Sequence, residues 1–182
     1  MRTMKAVNAD LDVLRKVAEV QNYRFVNDAD KVKYGVLVAE LEAIKLARKE
    51  RAFRKANRNK VFKAIYQEAQ EAGLKAGKEA IPTPMVVQSH ANQLDDNSPV
   101  EKEYYVSEGM CGFAWVVVSS NQAFARWLKA MEYGSHSSYE RGTTIWARDF
   151  GQSITRKEAW AGAFAQVLTK NGIEAYNQSR LD

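Results

Sequence analysis

The sequence predicts an α+β protein with a helical N-terminal region and a small C-terminal α/β sandwich. Residues 31–78 contain no proline, and their apolar and basic side chains recur at helical spacing. Short apolar runs typical of strands begin near residue 103, and all four Trp follow residue 114. We therefore predict a helical region at 1–80 with one long helix, a linker loop at 81–102 and an α/β domain at 103–182. The last region should hold a mixed sheet of roughly three to four strands.

Composition places the chain among globular proteins. Its 182 residues are 46% apolar and 27% charged, which suits one domain or one domain with a helical extension. Cys111 is the only cysteine, so no internal disulfide forms and a reducing compartment is expected. The first residues lack the apolar core of a secretory signal, and no stretch approaches the ~20 apolar residues of a membrane span, so we expect no membrane partner.

A short amphipathic helix is predicted after Asn8. Asp10 and Asp12 favour the positive end of a starting helix. Its apolar side chains recur every three residues, at Leu11, Leu14, Val17 and Val20. The segment "NYRFVND" should end it, and Asp28 or Asp30 should cap the next helix.

The long helix carries one stripe of positions spaced alternately three and four residues apart. Its members are Tyr34, Leu37, Leu41, Ile44, Arg48, Arg51, Lys55, Arg58, Phe62, Ile65 and Ala69. The stripe is apolar at both ends and basic in the middle, and four unpaired cations are not normally buried. The helix therefore either packs at its ends and stays free in the middle, or breaks near the weak helix formers Asn57 and Asn59. Gly77 is a candidate C-cap.

Short strands and helices follow the predicted linker. "KEYYV" and "FAWVVV" read as a hairpin around "SEGMCG", and the second run is apolar on both faces, which is typical of a central, covered strand. Asn121 should cap a helix ending near Met131, "EYGSHSSYERG" should be a loop, and "TTIWARDF" a strand.

The clearest helix lies between residues 151 and 172. Thr155 and Glu158 have the spacing of a capping box, and Asn171-Gly172 is a strong stop signal. "IEAYNQSRLD" reads as a final strand. A crossover through a helix implies parallel pairing of the last two strands if both belong to one sheet.

Positive charge is concentrated in one band. Between Lys45 and Lys63 nine Lys or Arg face one acid, Glu50, for a local net charge of +8, so the remaining chain carries −3 of the overall +5. This band predicts phosphate contacts with nucleic acid, or an acidic protein surface as partner. The candidate residues are Arg48, Arg51, Arg54, Lys55, Arg58, Lys60 and Lys63, with Phe53 able to stack on a base. The alternative is an ordinary solvated helix.

A second polar group surrounds the start of the last helix. Strand ends and helix N-termini favour anionic ligands, so these residues form a possible anion or ligand site. Its members are Tyr139, Arg141, Asp149, Gln152, Ser153, Arg156 and Arg180. Capping and surface ion pairs explain the same residues without a ligand. His90, His136 and Cys111 lack metal-ligand spacing, so we predict no metal site. The P-loop, G-x-G-x-x-G and H-E-x-x-H motifs are absent as well, so the sequence points to no cofactor and to no particular catalytic residue.

Several C-terminal blocks resemble a widespread family of uncharacterised proteins of tailed bacteriophages. They are "PTPMVV" (82–87), "YYVSEGMCGFAWVVV" (104–118), "FARWLK" (124–129), "SYERGTTIWARDFGQS" (138–153), "RKEAWAGAFAQVL" (156–168) and "GIEAYNQSRLD" (172–182). The resemblance implies a phage protein in the host cytoplasm or associated with the virion, and it implies no activity.

Three functions follow as hypotheses. The first is a non-catalytic accessory protein that binds nucleic acid or another polyanion through the basic helix. The second is a virion structural or host-interaction protein whose stripe forms a homo-oligomer or partner interface. The third is an enzyme or nucleotide-binding protein that uses residues 148–156.

Overall fold

The computed structural model describes residues 2–20, 28–95 and 97–182. Within them the chain forms helices α1 (Met4–Val20), α2 (Asp28–Glu79), α3 (Ala123–Ala130) and α4 (Ile154–Lys170). The strands are β1 (Met85–His90), β2 (Val100–Val106), β3 (Gly112–Ser119), β4 (Ser135–Ser137), β5 (Gly142–Trp146) and β6 (Ala175–Leu181). The α+β class is therefore confirmed. The contacts divide the chain into two compact units, Met1–Arg58 and Asn59–Asp182, so the division falls within α2 rather than at residue 80.

The core of the first unit lies between α1 and the first part of α2. Its buried members are Val7, Leu11, Leu14, Leu37 and Ile44. Helix α1 begins at Met4 rather than after Asn8, because Thr3 caps it: its hydroxyl accepts a hydrogen bond from the backbone N–H of Ala6 at 3.3 Å. The predicted end of this helix and the side chains of Val17 and Val20 lie outside the described residues. Asp28 and Asp30 occupy the first turn of α2.

Helix α2 runs without a break through Asn57 and Asn59, so the predicted long helix is confirmed and the broken alternative is wrong. The positions of its stripe differ in burial. Leu37, Ile44 and Ala69 are buried, whereas every stripe position from Arg48 to Arg58 is exposed. Packing at the two apolar ends outweighs the weak helix propensity of the asparagines.

The second unit contains a four-stranded sheet in the order β4-β5-β3-β6. β3 is central and almost wholly buried, as its apolar faces predicted. All pairings are antiparallel, so the predicted mixed sheet is wrong. β5 and β6 do run in the same direction, but α4 carries the chain across β3, and the two strands therefore flank β3 instead of pairing with each other.

One face of this sheet packs against helices. The core includes Val116 and Val118 of β3, Phe124 of α3, and Trp160 and Phe164 of α4. Half-buried side chains of α2 complete it, namely Phe62, Ile65, Tyr66 and Leu74.

Two glycines let α2 approach this core. A Cβ atom at Gly73 would lie 2.8 Å from the Trp160 indole, and one at Gly77 would overlap the Phe150 ring. Gly77 is thus a residue inside the helix whose missing side chain leaves room for the Phe150 ring, and its prediction as a C-cap is wrong.

The stretch predicted as a linker contains a β-hairpin. β1 and β2 pair antiparallel, with Val86 opposite Tyr105, so the loop prediction is wrong for residues 85–90 and 100–102. Both strands are largely exposed and lack the apolar alternation of a half-buried strand. The predicted β2–β3 hairpin is also wrong, because these strands belong to different sheets.

Local caps differ from the expected ones. Gln122, not Asn121, precedes α3, and the Asn121 side chain accepts a hydrogen bond from the Ser119 hydroxyl at 2.9 Å. Ser153 precedes α4, and the Thr155–Glu158 box does not form, because α4 begins one residue before Thr155.

The ends of the neighbouring elements were partly predicted. The stop at Asn171-Gly172 is confirmed: α4 ends at Lys170, and Gly172 has φ +73°. The expected loop before β5 contains the short strand β4, which extends the sheet at its edge.

Candidate nucleic-acid interface

The candidate interface is the stretch of α2 from residue 48 to 58, called the basic segment below. Every residue in it is exposed, and it carries six Lys or Arg against one acid, Glu50. It lies wholly in the first unit, and Lys60 and Lys63, which are also exposed, belong to the second. Because the basic segment is exposed on all sides, it buries no apolar surface that would stabilise its helical conformation. Packing of the flanking turns therefore holds these residues in helical form.

Within the described part of the chain, several of these cations have no carboxylate partner. Among the described residues, no ion pair involves Arg51, Arg54 or Lys55, although Lys45 just before them pairs with Glu42 at 2.8 Å. Arg48 donates a hydrogen bond to the thioether of Met4 at 3.2 Å. Like charges three or four residues apart disfavour a helix by about 0.2–0.5 kcal/mol per pair. A bound polyanion would relieve this repulsion.

Three of the four arginines of the segment share one side of the helix with Lys55, and these four residues are called the arginine row below. Arg48, Arg51, Lys55 and Arg58 follow the stripe, as predicted. Phe53 is 67% exposed, but two residues from Arg51 it points to nearly the opposite side, where Lys49 is its neighbour. A base that stacks on Phe53, as predicted, would therefore lie on a different side of the helix from the arginine row.

The arginine row continues into a cleft that sequence reasoning missed. A cavity of about 490 Å³ is lined by Arg2, Arg48 and Arg51, together with Thr3, Met4, Ile44 and Ala47. Arg2 forms an ion pair with Asp10 and lies 3.6 Å from Glu40. Arg2 lies 46 positions before Arg48 in the chain, so only the packing of α1 on α2 shows that they are neighbours.

The second predicted site is not assembled as one site. Arg156 pairs with Glu108 at 2.7 Å and donates hydrogen bonds to the carbonyls of Gly77 and Lys78, both at 3.1 Å. It therefore caps the C-terminal end of α2. The Ser153 hydroxyl is buried and donates to the carbonyl of Glu108 at 2.9 Å. The hydrogen bond from Arg156 holds the pKa of Glu108 below its usual value.

The remaining residues of that group are dispersed. Tyr139 and Arg180 line one cleft, Asp149 lines another with Tyr66, and Gln152 lies beside Arg156. Arg141 is exposed in a turn with φ +51°. Structural roles thus account for Ser153 and Arg156, and the others require separate explanations.

The stripe also bears on the oligomer hypothesis. Its apolar members Leu37 and Ile44 are buried inside the first unit, and Ala69 inside the second. An interface built on the stripe would have to use its basic positions, which disfavour contact with a second copy.

Among the described residues no group of His, Cys, Asp and Glu side chains has the arrangement of a metal site. None of the described helices is both long and apolar enough to cross a bilayer. No protein-family model matches the sequence, and comparison with curated proteins and with solved structures gave no match either.

Proposed function

We propose that the protein binds nucleic acid through phosphate contacts made by the basic segment of α2. The observation that carries this proposal is the exposure of all residues from 48 to 58 with six cations and one acid. Within the described part of the chain, Arg51, Arg54 and Lys55 form no ion pair, so these closely spaced cations are open to a polyanion.

The geometry of the segment suits a phosphate backbone. At 1.5 Å per residue, the row from Arg48 to Arg58 extends about 15 Å. A DNA duplex carries one negative charge per ~1.7 Å of its axis, so several phosphates fall within reach of the row. Guanidinium groups bind phosphate oxygens in pairs, which favours arginine in such contacts. No feature of the row selects a base, so binding should be independent of sequence.

The proposal extends to the biological setting. The C-terminal resemblance supports a non-catalytic accessory protein of a tailed bacteriophage, working in the host cytoplasm or with the virion. An acidic protein surface is the other polyanion that would fit the same row.

Charge reversal in the row tests the proposal. Arg51→Glu with Lys55→Glu should weaken binding of a fluorescently labelled DNA duplex at least about tenfold at low salt, measured by anisotropy. Lys31→Glu with Lys33→Glu is the matched control, since both lysines are exposed in α2 outside the segment. Circular dichroism should show equal helix content in all three proteins. Absence of wild-type binding to duplex and single strands at low salt, or equal losses in both variants, would contradict the proposal.

A further inference from the structure

The face of the four-stranded sheet opposite α4 carries a cleft with aromatic and polar side chains. Trp115 of β3 lies opposite Trp146 of β5 and opposite Gln178 of β6, so these three side chains form one row across the sheet. The cleft beside this row has a volume of about 410 Å³. The side chains that matter for a ligand are Trp115, Tyr139, Glu140, Trp146, Gln178 and Arg180.

Trp146 offers a fixed aromatic surface. Trp146 is 41% exposed, and its ring packs on that of Trp115, with centroids 4.8 Å apart, and in an edge contact with Phe113 at 6.4 Å. Tyr139, on the loop before β5, is 90% exposed and lines the same cleft. Aromatic rings on an antiparallel sheet are a common surface on which proteins stack nucleobases.

The polar groups of the cleft are available to a ligand. Gln178 is exposed, and within the described part of the chain its amide has no hydrogen-bond partner and Arg180 has no carboxylate partner. The guanidinium of Arg180 lies over the Phe113 ring, 5.3 Å from its centroid. The acid of the cleft, Glu140, already accepts a hydrogen bond from the Trp115 indole at 3.2 Å. A ligand therefore finds an amide that donates and accepts, and one cation.

We propose that this cleft binds one nucleotide unit. The base stacks on Trp146, its polar edge meets the Gln178 amide, and the phosphate is bound by Arg180. The volume falls within the ~300–1,000 Å³ of small-ligand sites. The inference does not rest on the basic segment, because the cleft lies wholly in the second unit and uses none of its residues.

The stacking part is tested by NMR titration of the full ¹⁵N-labelled chain with adenosine and uridine monophosphates. The Trp146 indole N–H signal should shift saturably, and ribose 5-phosphate should bind at least about tenfold more weakly because it has no base to stack. Equal binding of ribose 5-phosphate, binding of neutral sugars in place of nucleotides, or no shift at millimolar nucleotide would overturn the proposal.

The phosphate part is tested by Arg180→Gln. This variant should bind the monophosphates about tenfold more weakly while its weaker affinity for uncharged adenosine is unchanged. Arg126→Gln, an exposed arginine outside the cleft, should bind like the wild type. The variant with Arg51→Glu and Lys55→Glu should also bind monophosphates normally, which separates this site from the basic segment. An Arg180→Gln protein with wild-type affinity for the monophosphates would overturn the assignment.

Discussion

Two stretches of α2 show that one helix can be packed in one part and fully exposed in another. From residue 62 to 77 its apolar side chains and glycines pack on a core of aromatic rings, whereas from 48 to 58 nothing is buried. One register of alternating threes and fours runs through the exposed stretch and continues into the packed one as far as Ala69. Helical register therefore predicts which side chains share a face of the helix. Whether that face packs on a core or stays exposed depends on the polarity and charge of those side chains.

The largest expected contrast comes from making the same substitution in the core on which residues 62–77 pack and in the basic segment. Phe164 is fully buried between Trp160 and Tyr66, so Phe164→Ala should lower the free energy of unfolding by about 3–5 kcal/mol. Phe53→Ala, at a 67% exposed position, should change it by less than about 0.5 kcal/mol. Urea unfolding followed by tryptophan fluorescence and circular dichroism measures both. Similar losses in the two variants would mean that Phe53 is buried in solution.

Substitutions at two separate glycines of α2 test how closely the helix is packed at each position. Gly73→Ala should destabilise the second unit by about 1–3 kcal/mol, because the new methyl group would crowd the Trp160 indole. Gly35→Ala should instead stabilise α2 by up to about 1 kcal/mol, since no atom of the described residues lies within 4 Å of its added Cβ. Thermal melts report both shifts. Stabilisation by Gly73→Ala would show that α2 does not approach Trp160 closely.

The smallest expected effect concerns the ion pair between Glu108 and Arg156, the residue that caps the C-terminal end of α2. The folded-state pKa of Glu108 lies below its usual value because Arg156 hydrogen-bonds to it, so the pair contributes stability above the unfolded-state pKa. That contribution is lost as the pH falls through the folded-state pKa. The melting temperature of Glu108→Gln should therefore lie slightly below that of the wild type at neutral pH and converge with it in acid. Glu101→Gln, an exposed control, should show no such pH-dependent difference.

Much of this fold could be predicted because the relevant signals are local. The proline-free periodicity gave the extent of α2, the apolar faces of "FAWVVV" gave the central strand, and Asn171-Gly172 gave the end of α4. The hairpin of β1 and β2 escaped prediction since both strands are exposed, so backbone pairing rather than apolar alternation defines them.

Candidate binding residues could be predicted only where they lie in one continuous stretch of the sequence. The basic segment is a single stretch of helix, so charge and register were sufficient to find it. Arg2 beside Arg48, and the row of Trp115, Trp146 and Gln178, join residues far apart in the chain. Arg156 was predicted to bind an anion, because its partner Glu108 lies 48 positions away and no local pattern reveals that pairing.

The salt dependence of nucleic-acid binding tests the central claim most directly. The affinity of the wild type for a DNA duplex should fall steeply and linearly on a plot of log affinity against log salt concentration. Replacing Arg51 and Lys55 by alanine, which leaves no buried contact unfilled, should reduce that slope by about one for each lost phosphate contact, with unfolding free energy nearly unchanged. A slope equal to that of the wild type would contradict the assignment of phosphate binding to the basic segment.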